Sequence, residues 1–295
     1  MNKVLNKYLL TAMCATPLLL GMSFAQADET VAAAPAEPAP PYTLTFNLGL
    51  YSNYMFRGVE YSDGPALQGG ADWAHSSGFY LGTWFSNLDP YAYGKSDALG
   101  TKGDHLETDF YGGYAHTFDN GFGVNFLGNY YKYLEGRKAN NILPDGSNRK
   151  HRFDSFEASI ALSYSYFTYT YFNVLTDYYG LDKTDKNFNV TGNRGTRGAS
   201  YNELKFNYKL PVADLNFMAK VGYQKTPHLQ GSEGDYAIGV NRDFSLPNSG
   251  KPITGFNAGA YYTGTFAVKN EAFYVSTDGR DLNEDRLWFY VKRTW

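Results

Sequence analysis

Cysteine is nearly absent. The only one in 295 residues is Cys14, inside an apolar stretch near the N-terminus, so the rest of the chain has no disulfide to brace it. Met13, just before it, is too bulky for the small residue that a lipoprotein signal needs, and lipid attachment at Cys14 is not expected. Long hydrophobic runs are also missing. Beyond residue 27 nothing approaches the roughly 18 apolar residues of a membrane helix, so the chain either is soluble or crosses a membrane as strands. Catalytic and metal signatures are scarce too. His75, His105, His116, His151 and His228 sit on separate segments without His-x-x-x-His or Glu-x-x-His spacing, and no Gly-x-Ser-x-Gly elbow occurs. No catalytic, cofactor-binding or metal-binding residues are therefore expected, and no enzyme activity. Charge of one sign is lacking as well. Residues 1–27 carry Lys3 and Lys7 and no acid, so their removal leaves 24 basic against 29 acidic residues, a charge of −5 that argues against a nucleic-acid partner.

What is present begins with an export signal: basic Lys3 and Lys7, an apolar core from Leu9 to Met22, and the small-residue site Ala25-Gln26-Ala27. Cleavage is expected after Ala27. Residues 28–41, rich in Ala, Pro and Glu and without periodicity, read as a flexible periplasmic tail.

From Tyr42 the pattern changes to a period of two. Tyr42, Leu44, Phe46, Leu48, Leu50, Tyr54 and Phe56 are apolar, with small or polar residues between them, and only Tyr51 and Ser52 blur the alternation. Such a strand has one apolar and one polar face. Similar segments recur to Trp295, each about the 9–11 residues that a tilted strand needs to cross a bilayer. They are separated alternately by tight turns, such as Ser76-Ser77-Gly78 and Asp119-Asn120-Gly121, and by long polar stretches at Asp89–Asp104, Glu135–His151, Gly180–Gly198 and Ala267–Asp285. The alternation of the seventh strand, up to Tyr178, is ambiguous. With 27 Tyr, 21 Phe and 31 Gly, the composition suits aromatic girdles around a barrel wall. The fold predicted over residues 42–295 is all-β: a transmembrane antiparallel up-and-down barrel of about twelve strands, with short periplasmic turns and long extracellular loops. A soluble sandwich has no reason for this strict asymmetry.

The residues Ser52-Asn53-Tyr54-Met55-Phe56-Arg57-Gly58 continue into Pro65-Ala66-Leu67-Gln68-Gly69-Gly70-Ala71-Asp72-Trp73, Ser77-Gly78-Phe79-Tyr80-Leu81-Gly82-Thr83-Trp84 and Ser86-Asn87-Leu88-Asp89. Together they resemble the N-terminal part of the TorF family of porins. The resemblance implies an outer-membrane barrel and a channel, and it brings no catalytic residues.

On the strand reading, Asp72, Glu107, Asp109, Glu157, Glu203, Lys205, Lys209, Lys220 and Lys292 face inward. Charges lining a wet lumen set ion preference, and since both signs occur, the expected preference is weak. Arg57, where the first strand meets its turn, either points into the pore mouth or caps the strand and pairs with Asp63. The expected role is passive diffusion of small hydrophilic solutes. Two other readings stay open: a closed structural barrel with ligand-binding loops, and an outer-membrane lipid hydrolase built on His116. The expected partners are outer-membrane lipids, lipopolysaccharide, and the assembly machinery that reads Trp295 at the end of an amphipathic last strand; the basic cluster Arg137, Lys138, Arg149, Lys150 and Arg152 either binds lipopolysaccharide phosphates or, as the blander account, is a solvated loop. Arg293 departs from that strand's apolar face.

Overall fold

The computed structural model describes residues 40–89, 105–134, 138–142, 148–185, 190–192, 195–229, 231–276 and 278–295. The expected export signal with Cys14, the tail through residue 39, Arg137 and residues 90–104 of the first long loop lie outside them.

Twelve strands follow one another around a closed antiparallel barrel: β1 (Tyr42–Tyr51), β2 (Ala66–His75), β3 (Phe79–Asn87), β4 (Leu106–Thr117), β5 (Phe122–Tyr133), β6 (Ser155–Tyr164), β7 (Phe167–Val174), β8 (Ser200–Lys209), β9 (Asn216–Lys225), β10 (Glu233–Leu246), β11 (Ile253–Phe266) and β12 (Arg286–Thr294). Closure is made by β12 against β1, with Leu48 opposite Arg293 and Tyr51 opposite Tyr290. Trp295 extends the seam, because its N–H donates to the Phe46 carbonyl at 3.0 Å and the Phe46 N–H donates back at 2.8 Å. Among the described residues the barrel sheet itself has no unpaired edge, which is what an environment without water requires of a sheet.

Alternation sorts the side chains. Leu44, Leu81, Phe110, Phe126, Leu204 and Leu287 point outward and are 46–60% exposed. A continuous apolar belt of this kind is unfavourable in water and suited to hydrocarbon. The inner face pairs large rings with glycines on the next strand. Tyr111 lies opposite Gly82, where a Cβ would come within 2.3 Å of the tyrosine ring, and Tyr290 lies opposite Gly259, where it would come within 2.5 Å. Tight turns join one end of the barrel, at Gly78 and Gly121 with positive φ and at Ala213-Asp214. The long connections all lie at the other end.

Several expectations need correction there. The first strand does not run to Phe56. It ends at Tyr51, and Met55–Phe56 pair with Val59–Glu60 in a small inner hairpin whose residues are buried, so Tyr54 and Phe56 are inside the barrel and not on its apolar exterior. The stretch expected as a plain loop at Glu135–His151 contains a hairpin of Lys138–Ile142 against Asn148–Arg152, with Lys138 opposite Arg152. The seventh strand stops at Val174. Tyr178–Gly180 then form a 3-10 turn, with Tyr179 at φ 45°, that packs Tyr178 and Tyr179 inward.

Candidate functional site: the barrel lumen

The inner hairpin turns through Arg57 and Gly58, both left-handed at φ 51° and 81°, the type I′ geometry of a two-residue hairpin. A Cβ on Gly58 would lie 2.7 Å from Thr265 Cγ2 on β11 and 2.8 Å from Asp235 Cβ on β10. At the base of the hairpin the Tyr54 hydroxyl donates to Glu107 Oε2 on β4 at 3.1 Å. The hairpin therefore crosses the lumen from the β4 wall to the β10–β11 wall.

Arg57 fastens it. One guanidinium nitrogen donates to both carboxylate oxygens of Glu157 on β6 at 2.8 and 3.0 Å, and the other donates to Gln224 Oε1 on β9 at 2.8 Å. Tyr131 adds a hydroxyl donor to Glu157 at 3.1 Å. The rings of Tyr201, Phe56 and Phe172 lie 4.2, 4.7 and 4.9 Å from the guanidinium carbon, close enough for cation–π attraction. Arg57 is thus inside the lumen and paired with Glu157. Asp63, its expected partner, pairs instead with Arg280 at 3.1 Å.

A second cluster lies beside it. Lys220 on β9 donates to Asp235 at 2.9 Å and Glu203 at 3.3 Å, Lys205 pairs with Glu203 at 3.0 Å, and the Tyr201 hydroxyl donates to Asp235 at 2.7 Å. Glu107 and Asp109 on β4 form a third group, with Asn129 Nδ2 donating to Asp109 Oδ2 at 3.0 Å. Elsewhere in the lumen, Tyr111 donates to Asp72 at 2.5 Å, Lys292 is buried on β12, and Tyr51 and Tyr261 stack on Tyr290 and Trp288. The predicted inward residues Asp72, Glu107, Asp109, Glu157, Glu203, Lys220 and Lys292 are buried inside the barrel. Lys205 is half-buried, and Lys209 lies exposed at the short-turn rim against Asp214.

The long-loop end is roofed over. Arg280 joins Asp89, Asp63 and Asp278, Arg286 pairs with Glu60 at 2.9 Å, and Val59 packs against Tyr274 and Leu282. Burial pushes the hydroxyls of Tyr178 and Tyr179 up, so both serve as neutral packing groups under this roof. Sequence reasoning missed Tyr54, Asn129, Tyr131, Gln224 and Asp235. The one local signal was the break in alternation at Tyr51 and Ser52, just before the chain leaves the wall.

No curated protein matches the chain. Among solved structures, the KdgM porin aligns over 85% of this chain and 99% of its own at 6% identity and a TM-score of 0.46, and the KdgM porin in complex with disordered oligogalacturonate over 85% and 98% at 6% and 0.45. An outer membrane channel from Pseudomonas putida F1 aligns over 88% and 100% at 9% identity and a TM-score of 0.44. A family model matches residues 35–295, nearly everything past the expected export signal, and the chain belongs to that family, Gcw_chp, described as a bacterial protein of unknown function.

Proposed function

We propose that the protein is an outer-membrane channel for small hydrophilic solutes, narrowed at rest by its inner hairpin. The observation that carries the reading is the inversion of an ordinary protein: apolar side chains outside, and a lumen holding Arg57, Glu157, Glu203, Lys220 and Lys292. Charges inside a barrel are functional groups when the lumen takes up water and ions, and are unfavourable in a dry core. The long loops then face the exterior and the short turns the periplasm. The resemblance of residues 52–89 to TorF porins points the same way. The lipid-hydrolase reading has only His116 to rest on, and its ring packs against those of Tyr114 and Phe118 near a short turn.

A closed barrel is the competing reading, because the hairpin occupies the lumen. Planar-bilayer recording separates the two. Wild-type protein is expected to open rarely, and a variant with residues 55–60 replaced by a short Gly-Ser link to conduct steadily, with modest preference between small cations and anions. If the shortened variant folds, judged by heat-modifiable gel mobility, and still passes no current, the closed reading takes over.

A further inference from the structure

The pairing of the inner hairpin does not stop at its own two strands. The Glu60 N–H donates to the Leu282 carbonyl at 2.7 Å, the Leu282 N–H donates to the Tyr274 carbonyl at 2.9 Å, and Val275 bridges Asp281 antiparallel beside them. Leu282 and Tyr274 belong to the long connection between β11 and β12. Backbone bonds therefore run from Met55–Phe56 through Val59–Glu60 into the last outer loop. Val59, Tyr274 and Leu282 pack together in a buried apolar cluster, which gives this layer a small core of its own.

Bonds of another kind hold the layer to the barrel. Arg57 reaches Glu157 and Gln224, Tyr54 reaches Glu107, and Glu60 meets Arg286 at the start of β12. The Tyr274 hydroxyl donates to the Gly231 carbonyl, and Arg280 joins Asp89 just past the end of β3. Each of these ties uses a side chain on at least one partner. Backbone bonds to neighbouring segments come where the two arms leave the layer, from the Asp89 N–H to the Tyr61 carbonyl at 2.8 Å and from the Lys269 N–H to the Ser232 carbonyl at 2.9 Å. Such places serve as pivots. Backbone pairing around a buried cluster is lost all together, whereas side-chain ties can be released one at a time.

We propose that the inner hairpin and the last outer loop open as one body, a strap whose latch at the outer mouth is Arg280. The inference rests on the channel reading of the lumen. Arg280 gathers carboxylates from three places: Asp63 beyond the hairpin, Asp89 beyond β3 and Asp278 on its own loop. Its bond to Asp89 fastens the loop to the wall without touching the hairpin strands. If loop and hairpin move together, loosening that bond frees the hairpin. If the hairpin withdraws alone beneath a fixed roof, it does not. The latch is also partly exposed, so the gate is released from the outside of the molecule.

The test compares opening frequencies in planar bilayers, with folding judged by heat-modifiable gel mobility. Asp89→Asn removes the charge from the latch and keeps the backbone N–H that holds Tyr61. It is expected to open roughly two- to fivefold more often than wild type, the range for the loss of one partly exposed ion pair. Arg280→Gln should do the same and is read if Asp89→Asn does not fold, while Lys209→Gln at the short-turn rim should behave as wild type. A second measurement joins the two halves of the strap. Cys14 lies in the expected export signal, so Val59→Cys/Leu282→Cys carries the only thiols of the mature chain, and thiol titration follows their cross-linking. The oxidised pair should open as often as the reduced pair, because the two positions travel together. The proposal is overturned if folded Asp89→Asn opens no more often than wild type, whether or not the cysteines cross-link, or if oxidation silences the cysteine variant and reductant restores it. No current from the variant lacking residues 55–60 would defeat the channel reading itself. Steady current from that variant, with Asp89→Asn equal to wild type, would defeat only the strap.

Discussion

At the scale of single residues, Arg57 combines burial, charge and a left-handed backbone, each unfavourable alone. The backbone conformation costs about 1–2 kcal/mol for a residue with a Cβ, and the paired carboxylate, Gln224 and three rings hold it there. Arg57→Ala leaves Glu157 buried without its cation, which should cost roughly 3–5 kcal/mol of hairpin docking. Thermal melts and current recordings should show a less stable protein that opens more often. Arg57→Lys keeps the charge and loses the planar fork, so it should fall between the two. The double variant Arg57→Ala/Glu157→Gln should be more stable than Arg57→Ala alone, since no bare carboxylate remains. Equal melting temperatures for the two would show that the pair does not hold the hairpin. Arg293, the charge on the apolar face of the last strand, is accommodated differently: its guanidinium donates to the Thr254 carbonyl at 3.3 Å and lies 5.3 Å from the Phe256 ring and 5.5 Å from Trp295. Near the end of a strand such a side chain reaches polar surroundings at little cost.

At the scale of strands, the two faces follow different rules. On the outer face only polarity matters, so Phe110→Arg, on a mid-strand ring that is 51% exposed, should cost about 2–4 kcal/mol if it sits near the bilayer midplane. A charge at the exposed short-turn end, as in Asn207→Arg, should be nearly neutral, and unfolding by denaturant in lipid vesicles compares them. Equal stability would mean that the outer face is misassigned. On the inner face shape matters. Gly82→Val pushes a branched side chain into the Tyr111 ring, which itself holds Asp72, and overpacking of this kind should cost about 1–3 kcal/mol. Gly121→Ala, in open space at a short turn, meets no neighbour, and any loss there comes from its positive φ.

At the scale of the whole molecule, the sidedness of loops and turns decides what faces the cell exterior. An epitope placed between Ile142 and Asn148 is expected to be labelled on intact cells, and one at Asp119–Gly121 only after the outer membrane is opened. The reverse result would turn the barrel over and put the inner hairpin at the periplasmic mouth. The amino-acid sequence by itself determined that there are about twelve strands, which face of most of them is apolar, and which end carries the long loops. These are consequences of a period of two and of turn chemistry, both local properties that a few neighbouring residues express. Only the tertiary structure decided what fills the lumen. Arg57 meets Glu157 across 100 residues and Gln224 across 167, and Tyr54 meets Glu107 across 53. The apolar run Tyr54-Met55-Phe56 reads equally well as the end of a lipid-facing strand and as the side of a hairpin. What sends it inward is the set of polar partners on β4, β6 and β9, brought within reach when the sheet closes.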